Sequence, residues 1–258
     1  CRNTVKFTLM IQRHKSLIVG TTVKEDAGML AAPSLKSWWR KMTKQMIEPS
    51  GSSSQAIGWD DMLREKGYVL IEGSNPEEAV KYAKQLGKII WTTDVQIRKS
   101  KGMLTSTRGL EFHTDHHHAD YILWFCHQQT TLGGESVLVD AKEVISHMSD
   151  LDREVLRSIN LFEHKIFDHD PEYYPLIDAS GDVYYSFWEY DEVLSANDRA
   201  VLDRFSKLLH THNHVNITLQ PNDILIINNR RLCHGRTEIR GTQNRHLKRY
   251  WINKLGGA

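Results

Sequence analysis

The sequence predicts a mainly β fold, a β-sandwich or jelly roll with helical additions on its outside. From residue 110 onward the chain contains seven β-branched or aromatic runs, separated by turn-forming stretches such as LGG, ASGD and QPND. Helical patterns interrupt these runs in only two places, around 142–160 and at 196–210. The predicted strands cover 121–129, 135–141, 162–169, 182–188, 215–220, 223–228 and 245–252.

The chain before residue 110 has a more helical pattern. Apolar residues recur at four-residue spacing in SLKSWWRKMTKQMI (34–47), which predicts a helix with a packed stripe. The low-complexity stretch PSGSSSQ (49–55) then predicts a loop. We therefore expect an N-terminal extension, residues 1–55, that packs on a core domain of residues 56–258. Within the core domain, helices are predicted at 59–67 and 76–87, flanking the buried strand YVLIEG.

Composition narrows the class of partner and the compartment. The 33 basic and 32 acidic side chains nearly cancel, which argues against electrostatic capture of nucleic acid or of an anionic membrane. The 3 cysteines form no CxxC pair and are too few for a disulfide framework. The sequence thus indicates a reduced, cytoplasmic protein with a small-molecule partner, and it leaves open whether the chain forms a homo-oligomer.

The stretch FHTDHHHADY (112–121) raises three alternatives: a metal-binding tract, a catalytic corner or a polar loop. His113 and Asp115 are two residues apart, so an extended strand would place an imidazole and a carboxylate on one face. The apolar strand DILII leads, through a polar turn, to His234. Two histidines and one carboxylate are the set that holds non-haem Fe(II) with three open positions. A structural zinc site would instead need a fourth ligand.

FHTD, GGES, PNDILIINNRRLCHGR and RHLKR, in this order, resemble the Fe(II)/2-oxoglutarate dioxygenases of the taurine dioxygenase and clavaminate synthase-like superfamily. The resemblance runs from GYVLIEG, which begins at residue 67, to the end of the chain. It implies a double-stranded β-helix (jelly roll) with iron at one end of the barrel. It also implies that His113, Asp115 and His234 are the catalytic iron ligands.

The resemblance assigns further residues to the co-substrate and the substrate. Arg245 matches the arginine that grips the distal carboxylate of 2-oxoglutarate, and Ser136 matches a hydroxyl that holds the same group. Arg249 matches the arginine that binds the substrate carboxylate in hydroxylases of free amino acids, or the sulfonate in taurine dioxygenase. The resemblance thus implies a substrate with a small anionic head group.

Three other residues are candidates for substrate binding. His117 would share the ligand face if strand alternation continued past Asp115. Glu189 and Asp191 fall in a region that binds the cationic side chain in basic-amino-acid hydroxylases, so a basic amino acid fits them. The structural alternatives are polar loop residues for His117 and its neighbours, and solvated loop carboxylates for the acidic pair.

The implied reaction is the oxidation of an unactivated C–H by O₂, coupled to decarboxylation of 2-oxoglutarate to succinate and CO₂. Asp115 occupies the position that is Gly or Ala in related halogenases, which disfavours halogenation and leaves hydroxylation or desaturation. Three other functions stay open: a taurine dioxygenase-like oxygenase of a sulfonate or nucleoside-derived acid, a non-catalytic β-sandwich binding protein, and a histidine-rich zinc module.

Overall fold

A computed structural model describes residues 58–97, 102–163, 165–186 and 194–254 of the chain. The predicted extension over 1–55 and its helix at 34–47 lie outside these ranges, so this division of the chain stays a prediction. The described helices are α1 (Trp59–Lys66), α2 (Pro76–Leu86), α3 (Ala141–Ser146), α4 (Asp150–Ser158) and α5 (Ala196–Thr211). The described strands are β1 (Tyr68–Ile71), β2 (Lys88–Gln96), β3 (Leu110–His113), β4 (Tyr121–Gln128), β5 (Ser136–Asp140), β6 (Asn160–Phe162), β7 (Tyr173–Pro175), β8 (Val215–Ile217), β9 (Ile224–Asn228), β10 (Leu232–Arg236) and β11 (His246–Asn253).

Two antiparallel sheets form the core domain. One has five strands in the order β1-β9-β4-β11-β2, and the other has four in the order β3-β10-β5-β8. Non-consecutive neighbours such as β4 and β11 show that the chain crosses between the sheets, as in a jelly roll. A further pair, β6 and β7, lies outside them.

The inner faces of the two sheets enclose one apolar cluster. It combines Leu225, Ile227 and Trp251 of the five-stranded sheet with Leu138 and Leu232 of the four-stranded sheet. Side chains alternate across a strand, so their neighbours Ile224 and Ile226 point outward. There they pack with α1 and α2, as part of a separate cluster.

Helices also cover the outer face of the four-stranded sheet. Phe112, Val139 and Cys233 on that face pack in one cluster with α3, α4 and α5, which contribute Val144, Leu156 and Phe205 among others. Both sheets therefore have buried outer faces, which explains why the strand sequences contain continuous apolar runs.

α1 ends at Gly67 in the left-handed conformation (φ 77°), as expected of a glycine C-cap.

Two predicted strands are wrong within the described residues. In the segment predicted as a strand over 162–169, β6 ends at Phe162, and the backbone turns where Asp170 Oδ2 accepts the N–H groups of Ile166 and Phe167. In the segment predicted over 182–188, the described part forms only an isolated bridge between Val183 and Ile177. In the first segment, a local carboxylate-to-backbone turn thus replaces the ladder that the aromatic run had suggested.

The predicted fold class is confirmed: two antiparallel sheets in a jelly roll, with helices outside. The described helices include none with the length and apolar character needed to cross a lipid bilayer.

Candidate active site

Two neighbouring strands bring the candidate iron ligands together. His113 is the last residue of β3, and His234 lies opposite it on β10, with ring centroids 4.3 Å apart. Asp115 follows two residues after the end of β3. One ligand atom from each of the three residues lies within 4.8 Å of the others, and all three side chains are buried. Residues 121 positions apart in sequence thus form one compact donor set.

Asp115 is held in place by three other residues. Asn229 accepts the Asp115 N–H at 2.8 Å and donates to the Asp115 carbonyl at 3.2 Å. Arg249 Nη1 donates to the two carboxylate oxygens at 2.9 and 3.0 Å, and Trp251 Nε1 donates to Oδ2 at 2.9 Å. Outer partners of this kind fix the orientation of a ligating carboxylate.

Burial and neighbouring charges set the ionisation of the three groups. Burial raises the pKa of Asp115, but the Arg249 guanidinium and the two imidazoles outweigh it and hold that pKa below its usual value. Burial lowers the pKa of His113, and it lowers the pKa of His234 to about 3. The carboxylate is therefore charged and the imidazoles are neutral at pH 7, which are the forms that bind a metal ion.

The hydrogen-bonding of the two imidazoles also fits a divalent metal ion bound by His113, Asp115 and His234. His113 Nδ1 lies 2.8 Å from the carbonyl of Glu111, an outer hydrogen bond of the type that leaves Nε2 for a metal. His234 Nδ1 is buried, and no group of the described residues forms a hydrogen bond with it. A metal centre explains why three polar groups converge in this part of the core.

Two adjacent cavities open beside these residues. The larger has a volume of about 600 Å³ and is bounded by His113, Asp115 and Arg249 together with apolar side chains and several polar ones, among them His116 and Glu163. The smaller, about 40 Å³, contains Ser136, His234 and Arg245 in its wall. The two cavities share Leu104, Leu110 and Arg249. The smaller one has the size of a carboxylate group or a few water molecules.

Arg245 is a buried cation without an acidic partner among the described residues. Only 4% of it is exposed, and its Nε has no hydrogen-bond partner there. Burial lowers its pKa to about 10, so the guanidinium still carries its charge at neutral pH. Gly134 has a positive φ of 74°, and a Cβ there would lie 2.9 Å from Thr130 Cγ2 and 3.3 Å from Arg245 Cδ, so glycine leaves room for both side chains. An anionic ligand in the smaller cavity would neutralise this charge.

Arg236 plays a different part in the same wall. Its guanidinium donates to the carbonyls of Leu104, Ser106 and Arg108 at 3.2, 2.7 and 2.6 Å. These bonds tie the loop before β3 to β10, and that loop supplies part of the larger cavity wall. Arg236 thus connects this loop to β10 and stabilises the wall of the site.

The remaining histidines of the tract do not follow strand alternation. The chain turns after Asp115, where Ala119 N–H donates to the His116 carbonyl at 2.9 Å. His117 stacks on Tyr174 and its Nδ1 donates to Glu163 at 2.7 Å, so it is absent from the described walls of both cavities. His116, which the sequence suggested as an exposed loop residue, is buried and lines the larger cavity.

The structure brings most of the predicted site residues together. His113, Asp115, His234, Arg245, Ser136 and Arg249 surround the two cavities. Glu189 and Asp191 lie outside the described residues and stay predictions. Asn229, Trp251 and Glu163 were missed as site residues. Of these, Trp251 had a signal in the sequence, because it lies two residues after Arg249 on one strand and so shares its face.

Comparison with protein families decides the assignment. The model of the family described as "Taurine catabolism dioxygenase TauD, TfdA family" matches residues 52–251, well over half of the chain. The chain belongs to the TauD/TfdA family. The predicted family is thereby confirmed, and the matched region contains every residue assigned above to iron, 2-oxoglutarate or substrate. No curated protein sequence matches the chain.

Solved structures share the fold of this TauD/TfdA member at low sequence identity. An asparagine oxygenase in complex with Fe(II), 2S,3S-3-hydroxyasparagine and succinate has 16% identity and a TM-score of 0.62, over 76% of this chain and 77% of that one. The non-heme iron oxygenase OrfP has 17% identity and a TM-score of 0.61, over 86% and 93%. PvcB from Pseudomonas aeruginosa has 16% identity and a TM-score of 0.55, over 77% and 80%.

Proposed function

We propose that this TauD/TfdA member is a non-haem Fe(II)/2-oxoglutarate-dependent oxygenase that hydroxylates a free amino acid. The observation that carries the proposal is the buried set of His113, Asp115 and His234, whose ligand atoms lie within 4.8 Å of one another beside a cavity of about 600 Å³. Two imidazoles and one carboxylate leave positions open for a co-substrate and O₂.

Arg245 and Ser136 supply the site for 2-oxoglutarate in this proposal. The smaller cavity accommodates a carboxylate, and the Arg245 guanidinium offers the planar donors that suit one. The keto-acid end would then lie toward the metal ligands, since His234 borders the same cavity. Structures of OrfP in complex with Fe and alpha-ketoglutaric acid, and of asparagine oxygenase with succinate, support this co-substrate.

Arg249 is the proposed partner of the substrate carboxylate. It borders the larger cavity, and its Nη1 is engaged by Asp115. Its Nε forms no hydrogen bond within the described residues, although it is buried. A guanidinium has five N–H donors, so Arg249 can hold Asp115 and still bind an anionic head group.

The bound iron and 2-oxoglutarate supply the oxidising chemistry, and the protein supplies position and exclusion of water. Substrate C–H, 2-oxoglutarate and O₂ give substrate C–OH, succinate and CO₂, with one oxygen atom in the hydroxyl and the other in succinate. Apolar groups dominate the wall of the larger cavity, which keeps the reacting C–H away from bulk water.

Amino-acid substrates are supported by the relatives in which they are bound, since asparagine oxygenase holds hydroxyasparagine and OrfP holds (3S)-hydroxy-L-Arg. The basic side chain expected from Glu189 and Asp191, and the substrate contact expected of His117, stay predictions. The cytoplasmic location also stays a prediction.

The test is succinate formation by the Fe(II)-loaded protein with 2-oxoglutarate and O₂, in the presence of each common amino acid. We expect one amino acid to increase succinate formation and to gain the mass of one oxygen atom. Reactions without 2-oxoglutarate control for background oxidation. Stimulation by taurine or another sulfonate, with no amino acid active, would instead support the taurine dioxygenase-like alternative.

A further inference from the structure

A buried network of histidines and carboxylates adjoins the candidate active site. His117 Nδ1 donates to Glu163 Oε2 at 2.7 Å. His116 Nε2 lies 3.0 Å from Asp170 Oδ2 and 3.4 Å from Glu163 Oε1. The side chains of His116, Glu163 and Asp170 are each at most 1% exposed. Two carboxylates are thus enclosed by the imidazoles of His116 and His117, the two residues that directly follow Asp115 in sequence.

The two carboxylates of this network differ in their relation to the larger cavity. Glu163 belongs to the described wall of the cavity, and Asp170 does not. Asp170 instead accepts the backbone N–H groups of Ile166 and Phe167, at 2.8 and 2.6 Å, and so closes a turn. Apart from the candidate iron ligand Asp115, Glu163 is the carboxylate of the described cavity wall. It brings a carboxyl group to the wall of the cavity proposed for the substrate.

A second metal ion is an alternative occupant of this wall, because His116, His117 and Glu163 offer ligand atoms within 4.8 Å of one another. The tautomer of His116 argues against it. The backbone N–H of His118 donates to His116 Nδ1 at 3.2 Å, so the proton of a neutral His116 ring is on Nε2. Nε2 is then a donor toward the carboxylates and is not available to a metal ion.

We propose that Glu163 binds the α-ammonium group of the amino-acid substrate, in the cavity where Arg249 binds its carboxylate. This inference rests on the proposed function and names the polar group that recognises the second charge of the substrate. Glu163 lines this cavity, and a carboxylate is an acceptor that suits an ammonium donor. His116 and His117 fix the orientation of the carboxylate in the wall.

The rest of the described wall indicates the class of amino acid. One cation and one carboxylate match the two charges of a zwitterion. The side chain of the substrate would then face a mainly apolar surface formed by Met103, Leu104, Leu110, Ile166, Tyr184 and Trp251. This described part of the wall suits an apolar or aromatic side chain, or the apolar stem of a longer one, while Glu189 and Asp191, expected to bind a second cation, lie outside the described residues.

The experiment compares amino acids with their α-deaminated analogues, using L-leucine with 4-methylpentanoate and L-phenylalanine with 3-phenylpropanoate. Dissociation constants are measured by calorimetry on the anaerobic Fe(II)- and 2-oxoglutarate-loaded protein, so turnover is not required. We expect the wild type to bind the better amino acid about 10- to 100-fold more tightly than its analogue, the range of a charged hydrogen bond. Glu163→Gln should remove most of this preference by weakening the amino acid alone.

Asp170→Asn is the matched control, because it neutralises the other carboxylate of the same network away from the cavity wall. It should retain the preference for the amino acid. If Glu163→Gln does not fold, Glu163→Asp replaces it in the comparison. This variant keeps the carboxyl group, so it should retain part of the preference for the amino acid over its analogue. An unchanged preference in Glu163→Gln, or an equal loss in Asp170→Asn, would overturn the inference.

Two further outcomes would also overturn it. The first is a wild type that binds 2-oxoglutarate but prefers neither amino acid over its analogue. The second is that the wild type binds two equivalents of Zn²⁺ and Glu163→Gln binds only one. This result would show that Glu163 is a ligand of a second metal ion. Failure of the proposed function looks different: amino acids bind with the expected preference, yet no hydroxylated product forms when O₂ is admitted.

Discussion

Asp115→Ala is expected to abolish hydroxylation and to lower the stability of the metal-free protein. The substitution removes the charged member of the iron-ligand set. Loss of a residue that only hydrogen-bonds to a metal ligand lowers metal affinity by roughly 10- to 100-fold, so loss of the ligand itself should lower it by at least that factor. It also leaves the Arg249 guanidinium buried without its carboxylate, which costs about 3–5 kcal/mol in comparable buried pairs. Product analysis and denaturant unfolding of the metal-free protein measure the two effects.

The double variant Asp115→Ala/Arg249→Met separates the two effects. Removal of the second charge should restore most of the lost stability, and hydroxylation should stay absent. Asp152→Ala is the surface control, because Asp152 pairs with an exposed Arg204 at 2.5 Å. Its cost should stay within about 1 kcal/mol. A metal-free Asp115→Ala protein as stable as the wild type would contradict the structural role of the ion pair.

Arg245→Met is expected to weaken 2-oxoglutarate binding and, at the same time, to stabilise the protein. Loss of a charged hydrogen-bond donor to the distal carboxylate should raise the dissociation constant of 2-oxoglutarate about 10- to 100-fold. Arg245 is a buried cation without an acidic partner in the described residues, so an apolar side chain of similar length should raise the free energy of unfolding by about 1–3 kcal/mol. Binding and unfolding are measured on the same protein.

Arg236→Met is the matched control, since it removes a second buried arginine from the wall of the same small cavity. Arg236 donates to three backbone carbonyls, so its loss should destabilise the protein. Opposite signs for the two stability changes would support the assignment of Arg245 to the binding of an anionic ligand. A lower free energy of unfolding in Arg245→Met would contradict this assignment, because it would show that the guanidinium stabilises the folded protein.

Much of the site could be predicted because its residues lie on strands with clear sequence signals. The apolar run before His234 identified β9, and the chain order of FHTD, HGR and RHLKR identified the ligands and the two arginines. Strand alternation also contains a signal for Trp251, which lies two residues after Arg249 on β11, although Trp251 was not predicted as a site residue. These inferences depend on local periodicity and on motif order, which a single sequence contains.

The rest depends on contacts that local patterns do not contain. His117 was expected on the ligand face, but the chain turns after Asp115 and alternation ends there. Glu163 reaches the cavity because the end of β6 packs against the histidine tract, 46 residues from His117 in sequence. Asn228 and Asn229 are chemically identical neighbours, and only the tertiary structure shows that Asn229 holds the backbone of Asp115.

The central claim is that His113, Asp115 and His234 hold an iron ion to which 2-oxoglutarate binds. Its most direct test is an anaerobic titration of the Fe(II)-loaded protein with 2-oxoglutarate, followed by visible absorption. We expect a charge-transfer band that saturates at one equivalent per chain in the wild type and is absent in His113→Ala/His234→Ala. A wild type without the band, or a double variant with the same titration curve, would contradict the claim.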